Sequence, residues 1–193
     1  MPLEYLLEKY PMAVQLKGGL ACEVRPLRRR DEKAMKKLYL AVPEHERLFI
    51  KPRMSDGTLF HEWCRHIDYN RNLLLLVIHK RKVIAEGTLH QRQGGWKSHI
   101  GMVSVLTHPD YRGIGLSGVL VRELVELARH AGLQRLEAEF NGERKIAIRE
   151  FALAGFRELL RLPDYVKDFD ATFHDYVLMG IRLKTDEEYA SAG

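Results

Sequence analysis

Residues 101–132 constrain the fold more than any other part of the sequence. They begin with an apolar strand-like run ending at Thr107, pass through a turn with glycines at positions 113, 115 and 118, and finish in a helix-like segment. A strand that leads through glycines into a helix leaves several backbone N–H groups without partners at the helix start. We therefore expect this turn to bind an anionic group such as a diphosphate. The helix is indicated by apolar residues at the spacing of one helical face: Leu116, Leu120, Leu124, Leu127 and Ala131.

The segments around this turn predict an α/β (α+β) chain. Strand patterns alternate with four amphipathic helices in the order β-α-α-β-β-β-α-β-α-β-β, and the strands from residue 72 to 107 are expected to form an antiparallel meander. This order predicts a mixed, mostly antiparallel central sheet of about seven strands, with helices on both faces. We expect an N-terminal helical extension over residues 1–19, one domain over residues 20–183 and a polar tail over residues 184–193.

The segment from Val105 to Gly118 resembles the signature of the GNAT superfamily of N-acetyltransferases, in which Q/R-x-x-G-x-G/A follows a strand. The helix end Ala154-Gly155-Phe156 and the segment 174–179 resemble the same family, and Ser117 stands where the family usually has glycine or alanine. The resemblance implies a GNAT-like fold over about residues 23–183, with acetyl-CoA as co-substrate. It also implies that the strand end binds the pantetheine arm and the turn wraps the pyrophosphate, through Val105, Leu106, Thr107, Arg112, Gly113, Ile114, Gly115, Leu116, Ser117 and Gly118.

The same glycines also satisfy the dinucleotide-binding pattern G-x-G-x-x-G, with Glu137 as the ribose ligand about 20 residues further on. In that fold the first glycine follows its strand almost directly, whereas here the residues from His108 to Arg112 intervene. Only about 75 residues follow Gly118, too few for a long series of βα units. We therefore prefer the GNAT interpretation.

An amine acceptor with a pKa near 10.4 must lose a proton before it attacks a thioester, so a base is needed. Glu86, on the predicted central strand, and Glu139, on the strand opposite the cofactor, are the candidates. The alternative for each is a solvated or ion-paired strand residue. His90, His108 and His174 rank lower, because an isolated histidine is more often a surface or capping group.

Many GNAT proteins carry a tyrosine four residues before the glycine of G-F, as the general acid for the departing thiolate, but this chain has Phe151. Tyr165 or Tyr111 could replace it; the alternative for Tyr165 is that it packs in a loop. A thiol with a pKa near 8.5 leaves readily enough that catalysis does not require the acid. Because Phe151 replaces the usual acid, an alternative remains: the protein binds acyl-CoA without turning it over and acts as a sensor or partner module.

The resemblance implies direct transfer to a primary amine, without a metal or a covalent enzyme intermediate. We expect the acceptor between the loop Val42–Met54, with the helix after it, and the loop Pro163–Phe173. Both a small-molecule amine and a protein or peptide amine remain open as acceptors. Since GNAT proteins often pair through strands or helices, a homodimer through the N-terminal extension is also allowed.

Composition leaves few other classes. No apolar run reaches the roughly 20 residues of a membrane span, there is no basic leader, and two cysteines do not form a disulfide framework, so we expect a cytoplasmic protein. The net charge is +5, and the basic run Arg25–Lys37 is the basis for an alternative nucleic-acid-binding function. We rank it below acetyl transfer because no aromatic residues are interleaved for base stacking. His61, Cys64 and His66 do not share one helical face, so no metal site is expected.

Overall fold

The computed structural model describes residues 6–47, 58–168 and 170–184. Within these ranges, eight strands form one sheet in the order β1-β2-β3-β4-β5-β6-β8-β7. All neighbouring strands are antiparallel except β5 and β6, which are parallel. The strands are β1 (Met12–Gln15), β2 (Ala21–Pro26), β3 (Asn72–His79), β4 (Lys82–His90), β5 (Ile100–Thr107), β6 (Arg135–Asn141), β7 (Arg157–Lys167) and β8 (Phe173–Arg182).

Helices cover both faces of the sheet, as the sequence predicted. On one face the helices Leu116–His130 and Lys145–Leu153 pack through residues such as Leu120, Leu124 and Phe151, and on the other the helices Glu32–Ala41 and Thr58–Arg65 pack through Met35 and Phe60. Each face has its own buried core, so both layers hold the sheet through apolar burial. Among the described residues no helix is both long and apolar enough to cross a membrane. The helices are α1 (Glu32–Ala41), α2 (Glu44–Arg47), α3 (Thr58–Arg65), α4 (Leu116–His130) and α5 (Lys145–Leu153).

The eighth strand, β1, was not predicted. It lies within the segment interpreted as an N-terminal extension, and it pairs with β2 from Met12 opposite Val24 to Gln15 opposite Ala21. A strand of four residues is too short to show a clear alternation. A short helix is predicted over residues 2–10; Leu6 and Leu7 are helical, as expected, whereas residues 1–5 lie outside the described residues.

The last hairpin is longer than the sequence predicted. Residues 163–173 were expected to form a loop, but β7 continues to Lys167 and β8 begins at Phe173. Pro163 is tolerated because β7 is the outermost strand of the sheet, and the register shifts between Leu162 and Val166 as in a β-bulge. Only residues 168–172 therefore connect the two strands. Of the other predicted loop, residues 44–47 form α2 and residues 48–54 lie outside the described residues.

A cleft opens in the sheet where β5 and β6 separate. The two strands pair only from Ile100 to Met102 against Arg135 to Glu137, while β5 stays paired with β4 as far as Thr107. At the paired end, Gly101 allows close approach, because a Cβ there would lie 2.7 Å from Leu133 Cδ1. The strand ends thus diverge like the arms of a V on the side that leads into the glycine turn.

Candidate functional site

The glycine turn joins β5 to α4 and faces open space. Gly113 and Gly115 have φ angles of 79° and 93°, values that residues other than glycine rarely adopt. A Cβ at either position would meet nothing within 4 Å. Gly115 is the N-cap of α4, and the first helical hydrogen bond returns from Val119 N to Gly115 O at 3.1 Å. The N–H groups of residues 116–118 precede that bond, so they can receive an anion.

His108 holds the start of this turn. Its backbone N donates to Ile84 O at 2.8 Å, its Nδ1 accepts from Asp110 N at 3.3 Å, and its ring meets Tyr111 edge-on at 5.4 Å. Burial, with some repulsion from Lys82, lowers the pKa of His108 and keeps the ring neutral. His108 therefore shapes the turn through its contacts with Ile84, Asp110 and Tyr111.

The side chain of Arg112 is directed to Glu46 on α2. Its guanidinium donates two hydrogen bonds to the Glu46 carboxylate, at 3.0 and 2.8 Å, and Arg144 donates to the same carboxylate. Burial alone would raise the pKa of Glu46, but the two guanidinium groups hold it below its usual value. The Arg112 side chain is therefore engaged by Glu46, and only its backbone belongs to the glycine turn. Glu46 and Arg144 were missed in the sequence because they join this cluster from far along the chain.

A cavity of about 300 Å³ occupies the cleft between β5 and β6. It passes between the two cores, since its walls include Val103 and Phe151 from one and Leu106 from the other. Its volume is at the lower end of the range for small-molecule sites. Its polar side chains, which converge from several elements, are Glu46, Glu86, His90, Ser104, Glu139, Asn141, Arg144 and Tyr176.

The two predicted carboxylates both line this cavity, from strands on opposite sides of the cleft. Glu86, on β4, is 3% exposed and accepts a hydrogen bond from Thr88 Oγ1 at 2.8 Å. Glu139, on β6, is exposed and accepts from the Tyr176 hydroxyl at 3.1 Å. The structure brings together the residues that the sequence selected independently, and it places Glu86 in the drier position.

The tyrosine that reaches the cavity is Tyr176, not Tyr165. Tyr165 is 65% exposed on β7 and is not among the lining residues, although its ring lies 5.8 Å from that of Tyr176. Burial and the nearby Glu139 carboxylate raise the pKa of Tyr176 to about 12, so its hydroxyl stays protonated. Phe151 packs edge-on against Phe140 and Phe156 in the core, at 4.9 and 5.0 Å between ring centres.

Two of the remaining histidines are held by polar partners. His90 lines the cavity with its Nδ1 2.7 Å from Asn72 Oδ1. His174 lies between two carboxylates, with Nε2 2.8 Å from Asp168 and Nδ1 3.2 Å from Glu143. The hydrogen bond to Asp168, followed by the contact with Glu143, raises the pKa of His174. His174 thus fastens the β7–β8 connection to the segment before α5, beside the cavity.

This cluster predicts a pH dependence of stability. Because the folded-state pKa of His174 is raised above 6.5, its contribution is fully present below that value and is lost as the pH rises through the folded-state pKa. We expect His174→Asn to lower the melting temperature at acidic pH and to have less effect at alkaline pH. Thermal melts followed by circular dichroism on both proteins check this. A melting difference that does not change with pH would contradict it.

Metal-ligating residues do not converge in the described part of the chain. His61 Nδ1 lies 3.1 Å from Glu32 Oε2, and Cys64, on α3, is buried in the core that α1 and α3 form with the sheet. Asp168 is occupied by His174 and by Thr172 N, which donates to it at 2.8 Å. Within the described ranges no group of three or more His, Cys, Asp or Glu residues is placed to hold a metal ion.

Comparisons with known proteins agree with this geometry. The sequence matches the acetyltransferase (GNAT) family over residues 34–156. The fold is similar to the GNAT domain of S. lividans PAT, with a TM-score of 0.72, 20% identity, and coverage of 89% of this chain and 96% of that one.

Two further solved structures have the same architecture. YncA, a putative acetyltransferase from Salmonella typhimurium with its cofactor acetyl-CoA, gives a TM-score of 0.72 at 18% identity over 84% of this chain and 94% of that one. Ribosomal-protein-alanine N-acetyltransferase from Brucella melitensis gives 0.70 at 19% identity over 83% and 99%. No curated protein matches the sequence.

Proposed function

Because the chain belongs to the GNAT family of acetyltransferases, we propose that it transfers the acetyl group of acetyl-CoA directly to a primary amine in the cleft between β5 and β6. One observation carries the proposal: the strands separate beyond Met102, and the same β5 continues through residues 108–112 into a glycine turn open to a ligand. A cofactor with a diphosphate at one end and a thioester at the other matches that arrangement.

The cofactor would lie along the free edge of β5. The pyrophosphate oxygens would accept hydrogen bonds from the backbone N–H groups of residues 112–118, in the turn and the start of α4. The helix dipole favours negative charge at this position. The backbone of Val105, Leu106 and Thr107 would face the pantetheine arm, since these residues have left the pairing with β6. A backbone N–H at this edge would also stabilise the negative charge that develops on the thioester oxygen.

Glu86 would remove the proton from the acceptor amine, directly or through a water molecule. Its carboxylate is buried, oriented by Thr88 and exposed to the cavity from β4, which are the features of a positioned base. Glu139, on the other wall, would attract the cationic amine before it is deprotonated. Tyr176 would donate to the departing sulfur in place of the missing tyrosine at position 151.

The role of Tyr176 gives a test on a single hydroxyl. We expect Tyr176→Phe to lower kcat by about tenfold, less than a full general acid contributes, because a thiolate leaves without much help. Tyr165→Phe is the matched control, since it removes the neighbouring hydroxyl of the same aromatic pair, and it should leave kcat unchanged. Steady-state thiol release measures both. Equal losses in the two variants would contradict the assignment to Tyr176.

The acceptor would enter from the side of α2, α3 and the last hairpin. Trp63 and Glu46 line the cavity on one side of that opening, and Val166 and Tyr176 line it on the other. Both a small amine and a protein or peptide amine remain candidates, and we place the reaction in the cytoplasm because the two described cysteines are free and buried.

The proposal is tested by a thiol-release assay with acetyl-CoA and a panel containing a polyamine, an amino acid, a lysine peptide and a peptide with a free N-terminus. Turnover with at least one acceptor, together with saturable acetyl-CoA binding, is the expected result. Absence of CoA binding would refute it. Tight CoA binding without product from any acceptor would instead favour an acyl-CoA sensor. This is the second candidate function, because Phe151 packs between the rings of Phe140 and Phe156 and has no hydroxyl to act as the acid.

A further inference from the structure

A second concavity, of about 690 Å³, lies outside the acetyl-transfer cavity, between the start of α1 and the β3–β4 hairpin. Its apolar surface comes from Ala34, Ile78 and Val83, which are buried or half-buried. The basic side chains that line it are Arg25, Arg28, Arg30, Lys80 and Arg81. We call this surface the basic groove.

The hairpin turn that lines the basic groove has two residues that are unfavourable for its backbone conformation. Lys80 and Arg81 form a two-residue connection between His79 and Lys82, which face each other across the hairpin, and their φ angles are 44° and 67°. A turn with positive φ at both central residues strongly prefers Asn-Gly. Local backbone preference therefore does not explain two long cationic side chains here, and strained residues of this kind concentrate at functional sites.

Four of the five cations are not neutralised by the ion pairs of the groove. Asp31 is buried and bound by Arg25, with distances of 2.6 and 2.8 Å, and Glu23 also lies nearest to Arg25, at 3.5 Å. Among the ion pairs formed by the described residues, none involves Arg28, Arg30, Lys80 or Arg81, all of which are exposed. Counted with Glu23 and Asp31, the five cations give the lining of the groove a formal charge of +3.

We propose that the basic groove docks an acidic segment of a partner protein, with carboxylates against the four cations and aliphatic side chains against the apolar surface. Arginine forks match carboxylates in bidentate geometry, and complementary charge guides association. The lining residues include no aromatic ring, so the groove lacks the stacking surfaces of single-stranded nucleic-acid sites. Its apolar surface likewise suits leucine-like side chains better than a phosphate backbone.

The test uses a substitution that removes two cations while improving the turn. Lys80→Asn combined with Arg81→Gly supplies the preferred Asn-Gly pair, so we expect the melting temperature to stay the same or rise by about 2–4 °C. The probe is a short fluorescein-labelled peptide rich in glutamate with interspersed leucines. We expect the full chain to bind it in a salt-dependent manner, and the double variant to bind at least about tenfold more weakly by fluorescence anisotropy.

The matched control is Arg92→Asn with Arg157→Asn, which removes two exposed cations outside the groove. It should keep the peptide affinity, and both double variants should keep acetyl-CoA binding and thiol release, which separates this proposal from the proposed function. Three results would overturn it: no binding of the peptide at low salt, an equal loss in the control, or tighter binding of a single-stranded RNA of equal charge with the same sensitivity to Lys80 and Arg81.

Discussion

Gly115→Glu is expected to lower the affinity for CoA by at least about a hundredfold, because the new carboxylate would stand where the diphosphate is bound. The N-cap position of α4 has a φ of 93°, so the side chain would leave the backbone directly into the open space before the turn. The negative charge of the glutamate would then repel the diphosphate and offset the partial positive charge of the helix N-terminus. Isothermal titration calorimetry with CoA measures the change.

The matched control is Gly94→Glu in the connection between β4 and β5. Gly94 has a φ of 77°, and a Cβ there would also meet nothing within 4 Å, so the backbone strain is similar, at about 1–2 kcal/mol. Both variants should therefore lose similar stability, while only Gly115→Glu should lose CoA. CoA affinity that survives in Gly115→Glu would mean that the turn does not hold the diphosphate.

The parts of the fold that the sequence predicted well are those with long periodic patterns. The apolar spacing from Leu116 to Leu127 spans three helical turns, and the structure gives α4 over Leu116–His130. The alternation Leu136, Ala138, Phe140 predicted β6 in the same way. Such patterns arise because one face of the whole helix or strand is buried, so apolar residues recur along the sequence at the period of that element.

The features that the sequence did not predict depend on distant partners. β1 pairs with the edge of β2, and β7 tolerates Pro163 because no strand of the described residues pairs with its outer side. Edge pairing is decided by tertiary context, which a local pattern of four residues or a single proline does not contain.

The residues of the site show the same contrast between local patterns and distant partners. The glycine turn could be found from its motif, Glu86 from its place on the predicted central strand, and Glu139 from the alternation of its strand, and both glutamates line the cavity. Tyr165 and Tyr176 cannot be told apart in this way, since they belong to one hairpin and are in ring contact. Of the two, Tyr176 lines the cavity. It lies opposite Leu162 in the regular part of the hairpin, whereas Tyr165 lies in the irregular stretch between Leu162 and Val166, so the difference is a detail of cross-strand pairing.

Glu86→Gln is expected to lower kcat by about a hundredfold or more, in the range for loss of a general base, with CoA affinity unchanged. The amide keeps the size of the side chain and an oxygen that accepts from Thr88, so the fold should persist. Glu139→Gln is the matched control on the opposite wall: its carboxylate is exposed, and the change should mainly raise KM for a cationic acceptor. Thiol release across a pH series measures both. If Glu139→Gln loses the larger share of kcat, the base lies on β6, and if neither variant is slowed, neither glutamate is the base.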